Sequence, residues 1–234
     1  MRLILVVDDD PVVLHLLATV VHQLQYFHMR ASTSAEAWSY IQEYPVDGAI
    51  VDLSLPDGGG LDLVRRIRSE SPDPEIPLVV CSGMSDRETV QAAVEAGAND
   101  YVRKPINVPE LSPRLVKAFS AHRRWEPLEV ILGRLAVQDA EYVRLMDRSR
   151  RELRDAVKRL SDQTPSEELK TLATRFAGQA SSLGNLGLTR LMERLGTGAE
   201  LTAEQLLRLL TREAAAMDLA IRFLRKGAGP VPPL

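Results

Sequence analysis

The stretch "LILVVDDDP", residues 3–11, places five apolar residues directly before three aspartates and a proline. An unbroken apolar run of this length is typical of a strand that is buried on both faces of a parallel sheet. Aspartates at such a strand end can cap a helix, form a turn or bind a ligand. The remainder of the chain has to decide among these uses.

Similar strand signals recur through the first half of the chain. Apolar runs lie at 48–51, 76–81 and 100–102, with a shorter candidate strand near "HMRAS", and segments with helical spacing separate them. This repeating βα pattern predicts a five-stranded parallel sheet with helices on both faces. Reactive groups in such folds lie on loops at the carboxyl ends of the strands.

Polar residues follow the predicted strands at those ends. Asp8–Asp10 end the first strand, Asp52 the third, Ser82 the fourth, and Lys104 the fifth. Carboxylates gathered at one sheet edge repel one another unless a cation or a lysine offsets their charge. We therefore expect a metal, and Mg²⁺ suits oxygen ligands from a few carboxylates better than zinc does.

The segments "VVDDDP", "VDLSLPDGGG", "VVCSGM" and "NDYVRKP" resemble the receiver domain of two-component response regulators over residues 1–122. Thirty positions separate Asp52 from Ser82, and twenty-two separate Ser82 from Lys104, which is the spacing usual in that family. The resemblance implies a flavodoxin-like, doubly wound α/β fold. It also implies a phosphoacceptor signalling protein rather than an enzyme with a substrate of its own.

By this resemblance, Asp52 accepts a phosphoryl group from a histidine kinase or a phosphotransfer protein. Asp8, Asp9 and Asp52 would bind Mg²⁺, and the backbone carbonyl of Ser54 would complete the protein ligands. Asp10 is instead predicted to be a capping or turn residue, and the same prediction applies to Asp57.

Three further residues have roles that the resemblance implies. Lys104 and Ser82 would contact the phosphoryl group, since phosphoryl transfer needs positive charge and hydrogen-bond donors around its oxygens. Tyr101 would turn inward when Ser82 moves toward the phosphoryl group, and this would change the surface around the fifth strand. Pro105 should follow a cis peptide bond.

The composition indicates a globular chain that stays out of the membrane. Of its 234 residues, 45% are hydrophobic and 26% are charged. The opening apolar run is far shorter than a membrane span or the apolar part of a signal peptide, so we expect a cytoplasmic protein with no membrane partner. Cys81 is the one cysteine, which excludes a disulfide within the chain and favours a buried structural thiol.

Beyond residue 124 the charge balance and the periodicity both change. Residues 1–124 carry 12 Lys and Arg against 17 Asp and Glu, whereas the remainder carries 17 against 15. A net charge of +2 with interspersed signs argues against nucleic acid as a partner. The strand pattern also stops there, and stripes of apolar residues at helical spacing predict an all-α four-helix bundle over 139–226. Residues 123–138 would form a linker with a short helix, and residues 227–234 a flexible tail.

The segment "LATRFAGQASSLG", residues 172–184, resembles the signature helix of histidine phosphotransfer domains, which are four-helix bundles. The small and apolar positions of the pattern agree, but Thr174 stands where the phosphorylated histidine belongs and Ala177 where the neighbouring lysine belongs. No histidine lies between Arg123 and Leu234. The resemblance therefore implies a phosphotransfer-like domain that cannot transfer phosphate.

A degenerate domain of this kind would act by binding other proteins. Thr174, Ala177, Gly178 and Ser181 share one helix face, and receiver or kinase domains are the expected partners. A structural alternative is that this small-residue face lets another helix pack closely within the domain. Two functional alternatives are that the helical output binds nucleic acid or serves only for dimerisation.

Overall fold

A computed structural model describes residues 2–84, 86–120, 125–159, 166–190 and 203–226. The chain divides into two compact units, the first over Met1–His122 and the second over Arg123–Gly227.

The first unit is a five-stranded parallel sheet in the order β2-β1-β3-β4-β5. Five helices alternate with the strands. The strands are β1 (Leu3–Val7), β2 (Phe27–Ala31), β3 (Gly48–Asp52), β4 (Leu78–Ser82) and β5 (Asp100–Arg103), and the helices are α1 (Pro11–Gln23), α2 (Ser34–Glu43), α3 (Gly60–Glu70), α4 (Arg87–Glu95) and α5 (Val108–Ser120). The flavodoxin-like fold predicted from the sequence is confirmed for this unit.

The strand order creates a crevice between β1 and β3. Within the sheet, β2 lies next to β1 on one edge and β3 lies next to β1 on the other edge. The strand order therefore reverses at β1, and such folds bind ligands at this topological switch point. In the register of the sheet, Val7 lies opposite Val51. The two residues that follow, Asp8 and Asp52, are therefore brought side by side at the mouth of the crevice.

The central strands are apolar because helices cover both of their faces. Every residue of β1, β3 and β4 is buried. Helix α5 contributes Leu111, Leu115 and Phe119 to a core cluster with Ile50 and Val79. A fully buried Leu, Ile or Phe contributes about 1.5–3 kcal/mol to stability, so this core gives the sheet edge a rigid foundation.

A buried histidine should make the stability of the first unit depend on pH. His28 in β2 is 9% exposed, and burial, followed by the charges of Arg30 and His22, lowers its pKa below the ordinary 6.5. Such a group contributes stability that is fully present above pH 6.5 and is lost as the pH falls through the lowered pKa of the folded state. We expect His28→Gln to flatten the loss of stability between about pH 7 and pH 5. Hydrogen exchange of peptides from β1 and β2 in the full chain, followed across this pH range, would measure the stability of the first unit.

The matched control for that prediction is His15→Gln, which removes an exposed imidazole from α1. This control should retain the loss of stability in acid. Equal pH profiles for wild type and His28→Gln would contradict the prediction.

The described part of the second unit consists of helices joined by short segments, with one isolated antiparallel β-bridge between Trp125 and Asn185. Its helices are α6 (Leu128–Leu135), α7 (Asp139–Arg159), α8 (Ser166–Ser182), α9, described over 186–190, and α10 (Ala203–Lys226). Helix α7 packs along α10 and also contacts α8. The four-helix bundle over 139–226 stays a prediction, because residues 160–165 and 191–202 lie outside the described residues, as does the predicted tail at 227–234.

Helix α6 is packed into the second unit, although the sequence indicated a linker with a short helix over 123–138. Ile131 of α6 is fully buried, and the backbone N–H of Glu126 donates to the carbonyl of Gly184 at 2.9 Å. The hydroxyl of buried Tyr142 donates to the carbonyl of Leu183 at 2.8 Å. The carbonyls of Leu183 and Gly184, just after α8, therefore accept hydrogen bonds from one residue before α6 and one residue after it. The periodicity of the sequence does not reveal this connection.

Candidate functional site

Three carboxylates converge where β1 and β3 end. Asp8 is fully buried, Asp52 is 3% exposed and Asp9 is exposed. One carboxylate oxygen from each lies within 4.8 Å of the others. Burial raises the pKa of Asp8, and the ammonium of Lys104 opposes that shift. The pocket therefore concentrates negative charge in a place that water screens poorly.

Lys104 joins the two buried carboxylates. Its Nζ lies 2.8 Å from Oδ2 of Asp8 and 2.7 Å from Oδ2 of Asp52. Burial alone would lower the pKa of Lys104, but its contacts with Asp52 and Asp8 outweigh burial and raise it. The lysine therefore stays charged at neutral pH. Its backbone N–H donates to the carbonyl of Ser82 at 2.8 Å, and the Lys104–Pro105 peptide is cis, as the sequence resemblance predicts.

The loop between β3 and α3 borders the same pocket. The backbone N–H of Ser54 donates to Oδ1 of Asp52 at 3.3 Å, and the N–H of Gly60 donates to the carbonyl of Leu53 at 2.9 Å. The side chain of Leu53 is buried, whereas Ser54 is exposed at the rim. The loop thus leaves the sheet as a closed turn that keeps Ser54 beside the acidic cluster.

The donor set of the pocket fits Mg²⁺. Three carboxylates face one ammonium group, so a negative charge remains for a hard cation, and Mg²⁺ prefers oxygen ligands of this kind. Cys81 lies opposite Asp52 in the sheet, but burial raises the pKa of its thiol to about 12. Its side chain packs in the apolar core cluster of the sheet, so Cys81 is a buried structural thiol, as the sequence favours.

Ser82 and Tyr101 are connected through the backbone of Met84. The buried Oγ of Ser82 accepts a hydrogen bond from the N–H of Met84 at 3.2 Å, and the hydroxyl of half-buried Tyr101 donates to the carbonyl of Met84. Residue 84 thereby links both side chains that were predicted to move. Sequence reasoning missed this link because backbone atoms make both bonds, and the identity of a side chain carries no signal for them.

The two aspartates predicted to be structural have that role. Oδ1 of Asp10 accepts from the N–H groups of Val12 and Val13 and caps α1. Asp57 binds two N–H groups at the start of α2, a helix that is distant from it in the sequence. The first of these caps is local and could be predicted, whereas the second depends on how the loops pack.

The predicted partner-binding face of α8 is accessible among the described residues. Thr174, Gly178 and Ser181 are exposed, and Ala177 is half-buried. A Cβ atom built at Gly178 meets no described atom within 4 Å. Helix packing inside the described part of the unit therefore does not require glycine at this position.

A groove of about 470 Å³ runs beside Gly178 between α7 and α8. Leu135, Leu145 and Leu183 contribute apolar side chains to its lining. The lining also includes a hydrogen-bonded chain of polar groups: Oγ of Ser149 donates to Oε1 of Gln179 at 3.0 Å, Nε2 of Gln179 donates to Glu152 at 3.2 Å, and Nε of Arg148 donates to Glu152 at 3.0 Å.

Comparisons with known proteins identify the first unit. The family model for the response regulator receiver domain matches residues 4–116. The transcriptional regulatory protein KdpE of Staphylococcus aureus is 38% identical over 113 residues, which are 48% of this chain and 47% of that protein. The photosynthetic apparatus regulatory protein RegA of Cereibacter sphaeroides is 34% identical over 164 residues, which are 65% of this chain and 88% of that protein.

Solved structures include the receiver domain of HemR from Leptospira biflexa, which aligns with a TM-score of 0.49 at 28% identity over 53% of this chain and 98% of that one. The chain spans about half the length of the KdpE proteins that it matches. In the described parts of the chain, no helix is both long and apolar enough to cross a bilayer. The sequence match over residues 4–116 and the extent of the RegA alignment together show that this chain belongs to the response regulators and carries their receiver domain.

Proposed function

We propose that Asp52 accepts a phosphoryl group from a histidine kinase or phosphotransfer protein. The observation that carries this proposal is the bridging of buried Asp8 and Asp52 by Nζ of Lys104. In the proposed site, Asp8, Asp9 and Asp52 hold Mg²⁺ together with the backbone carbonyl of Ser54. When bound, Mg²⁺ offsets the charge of the phosphoryl oxygens and aligns them with the carboxylate.

The residues of this chain divide the chemical work in the following way. A carboxylate oxygen of Asp52 forms a bond to phosphorus as the bond between phosphorus and the donor breaks. The ammonium of Lys104, already placed 2.7 Å from Asp52, neutralises a phosphoryl oxygen, and the hydroxyl of Ser82 donates a hydrogen bond to another. The attacking group is a carboxylate that forms an ion pair with the ammonium of Lys104, so no side chain of the pocket has to remove a proton from it.

Phosphorylation would then act on the hydrogen bonds of Met84. Movement of Ser82 toward the phosphoryl group breaks the bond from the N–H of Met84 to Oγ of Ser82, and this frees the segment that also holds the hydroxyl of Tyr101. Tyr101 can then turn inward. The surface formed by α4, β5 and α5 changes as a result, and this change is the proposed signal.

A labelling experiment tests the receiver part of the proposal. The full chain is incubated with a small phosphodonor with and without Mg²⁺, and the intact mass and the oligomeric state are followed together. We expect one phosphoryl group per chain that appears only when Mg²⁺ is present. No modification in Mg²⁺ would overturn the proposal.

For the second unit, we propose an output that binds proteins and transfers no phosphate. In this scheme, residues 1–122 form the receiver, residues 139–226 form the output, and α6 belongs with the output. The exposure of Thr174, Gly178 and Ser181, together with the adjoining groove, supports a docking surface on α8. Threonine cannot replace a phosphorylated histidine, because its hydroxyl does not titrate near neutral pH and would form an unactivated ester.

The proposed partners are receiver domains or the dimerisation domains of histidine kinases. A binding screen with the full chain, with and without phosphorylation at Asp52, tests this output. We expect at least one cognate domain to bind in one of the two states. Absence of binding in both states would contradict the proposal.

A single substitution at Gly178 should have opposite effects on partner binding and on the stability of the second unit. Because a Cβ at this exposed helical position meets no described atom within 4 Å, we expect Gly178→Ala to stabilise the second unit by about 0.5–1 kcal/mol. The same methyl group should weaken partner binding at least severalfold, because it projects from the docking face. Hydrogen exchange of α8 peptides and a binding titration would measure the two effects.

Gly133→Ala in α6 is the matched control, since its Cβ also meets nothing within 4 Å. We expect this variant to gain stability and to keep its partner affinity. If Gly178→Ala destabilised the second unit, the structural alternative of close helix packing would be correct instead.

A second candidate output is transcriptional regulation. The alignment with RegA covers 65% of this chain, which is more than residues 1–122 can supply, so it extends into the helical unit. Two matched relatives, KdpE and PhoP, have names that describe transcriptional regulatory proteins. A filter-binding assay with duplex DNA at low salt separates this candidate from a protein-binding output, since salt-sensitive DNA retention would support it.

A further inference from the structure

We propose that Asp57 is a positioning residue that holds the β3–α3 loop in the conformation needed for Mg²⁺ binding. This inference rests on the proposed function, in which the Ser54 carbonyl of that loop is a ligand. Asp57 lies five residues beyond Asp52, and its side chain is exposed. The sequence indicated only a capping or turn residue at this position.

The carboxylate of Asp57 binds the first turn of α2 with both of its oxygens. Oδ1 accepts the N–H of Ser34 at 2.8 Å, and Oδ2 accepts the N–H of Ala35 at 2.9 Å. These two bonds, with that of Ala35 the stronger influence, lower the pKa of Asp57. The carboxylate is therefore ionised at neutral pH, and it lies where the dipole of α2 favours a negative charge.

Helix α2 does not need Asp57 as its ordinary cap, because it has one of its own. Oγ1 of Thr33 accepts the N–H of Glu36 at 3.1 Å, and the carbonyl of Thr33 accepts the N–H of Ala37 at 3.1 Å. Asp57 takes the two N–H groups that this local cap leaves over. The contact is thus a link between the β3–α3 loop and the first turn of α2, which lie more than twenty residues apart in the sequence.

The part of the loop that follows Asp57 has little stiffness of its own. Gly58 and Gly59 follow Asp57 with φ angles of +131° and +66°, and a Cβ at Gly58 would meet nothing within 4 Å. The base of the loop is closed by the bond from the N–H of Gly60 to the carbonyl of Leu53. Ser54 lies between this base and the Asp57 anchor, so both ends of its segment are fixed.

Removal of the anchor should weaken Mg²⁺ binding without touching a ligand. The peptide of Ser54 would sample more conformations, and the cation would have to restrict them again on binding. Supporting groups around metal ligands commonly change metal affinity by about 10-fold or more when they are removed. We therefore expect a loss of about 10-fold in Mg²⁺ affinity for Asp57→Ala.

The test is a calorimetric Mg²⁺ titration of the full chain as wild type, Asp57→Ala, Asp57→Asn and Asp62→Ala. Asparagine removes the charge but keeps one acceptor oxygen, so we expect a smaller loss than for alanine. Asp62 is an exposed aspartate in the first turn of α3 that pairs with Arg65, and its replacement should leave the affinity unchanged. Hydrogen exchange without Mg²⁺ should show faster exchange at Ser34 and Ala35 in Asp57→Ala.

The outcomes distinguish this inference from the proposed function. Wild-type affinity in Asp57→Ala would overturn the anchor while leaving the Mg²⁺ site in place. An equal loss in Asp57→Asn and Asp57→Ala would also overturn it, because the missing charge would then be the cause. A wild-type chain that binds no Mg²⁺ would overturn the proposed function and this inference together. Circular dichroism and unfolding curves of each variant verify that the titrations report on folded protein.

Discussion

Asp52→Asn is expected to abolish phosphoryl acceptance. The amide of asparagine keeps the size of the side chain but lacks the anionic oxygen that would bond to phosphorus. The contact of 2.7 Å from Nζ of Lys104 can persist to the amide oxygen, so the pocket should keep its shape. Intact-mass measurement after incubation with a small phosphodonor and Mg²⁺ should show no added phosphoryl group.

Asp62→Asn is the matched control for this prediction, because it makes the same chemical change at an exposed position of α3. It should be phosphorylated as fast as wild type. Phosphorylation of Asp52→Asn at the wild-type rate would mean that another residue is the acceptor. The proposed roles of Lys104 and Ser82 would then fall as well, since both roles require the phosphoryl group to be on Asp52.

Gly60→Ala is expected to destabilise the first unit by about 3 kcal/mol, at the upper end of the cost of overpacking. A Cβ at Gly60 would lie 1.8 Å from the backbone oxygen of Asp52 and 2.9 Å from Cα of Leu53. Neither is a flexible side chain that can move aside. Helix α3 would have to shift away from the end of β3, and this shift would displace the acidic pocket. Hydrogen exchange of β3 and α3 peptides measures the loss, and phosphoryl acceptance should fall with it.

Gly83→Ala tests whether the effect is specific to the close contact. Gly83 follows β4 near the same pocket, but its Cβ would meet nothing within 4 Å. We expect its substitution to change stability by less than about 0.5 kcal/mol. If Gly60→Ala were equally mild, the close approach of α3 to β3 would not hold the pocket in place.

The sequence alone allowed much of the receiver site to be predicted. Parallel strands end at a common edge, so residues after separate apolar runs had to meet there, and Asp8, Asp52, Ser82 and Lys104 do so. The positions of the central strands could be predicted because a strand that is covered on both faces is a continuous apolar run. The sequence has no histidine after residue 122, so residues 123–234 contain no side chain that could carry phosphate as phosphohistidine, however they pack.

Only the tertiary structure decided the contacts made by backbone atoms and by distant loops. The bonds of Met84 to Ser82 and Tyr101 involve its N–H and carbonyl, which every residue except proline has in common. The need for glycine at position 60 depends on an oxygen of β3, and the partners of Asp57 lie on α2. Periodicity and spacing indicate which face of an element is buried, because each buried position favours an apolar side chain and each exposed position a polar one. They do not report which two loops approach within hydrogen-bond distance, since that depends on how the whole sheet positions its edge.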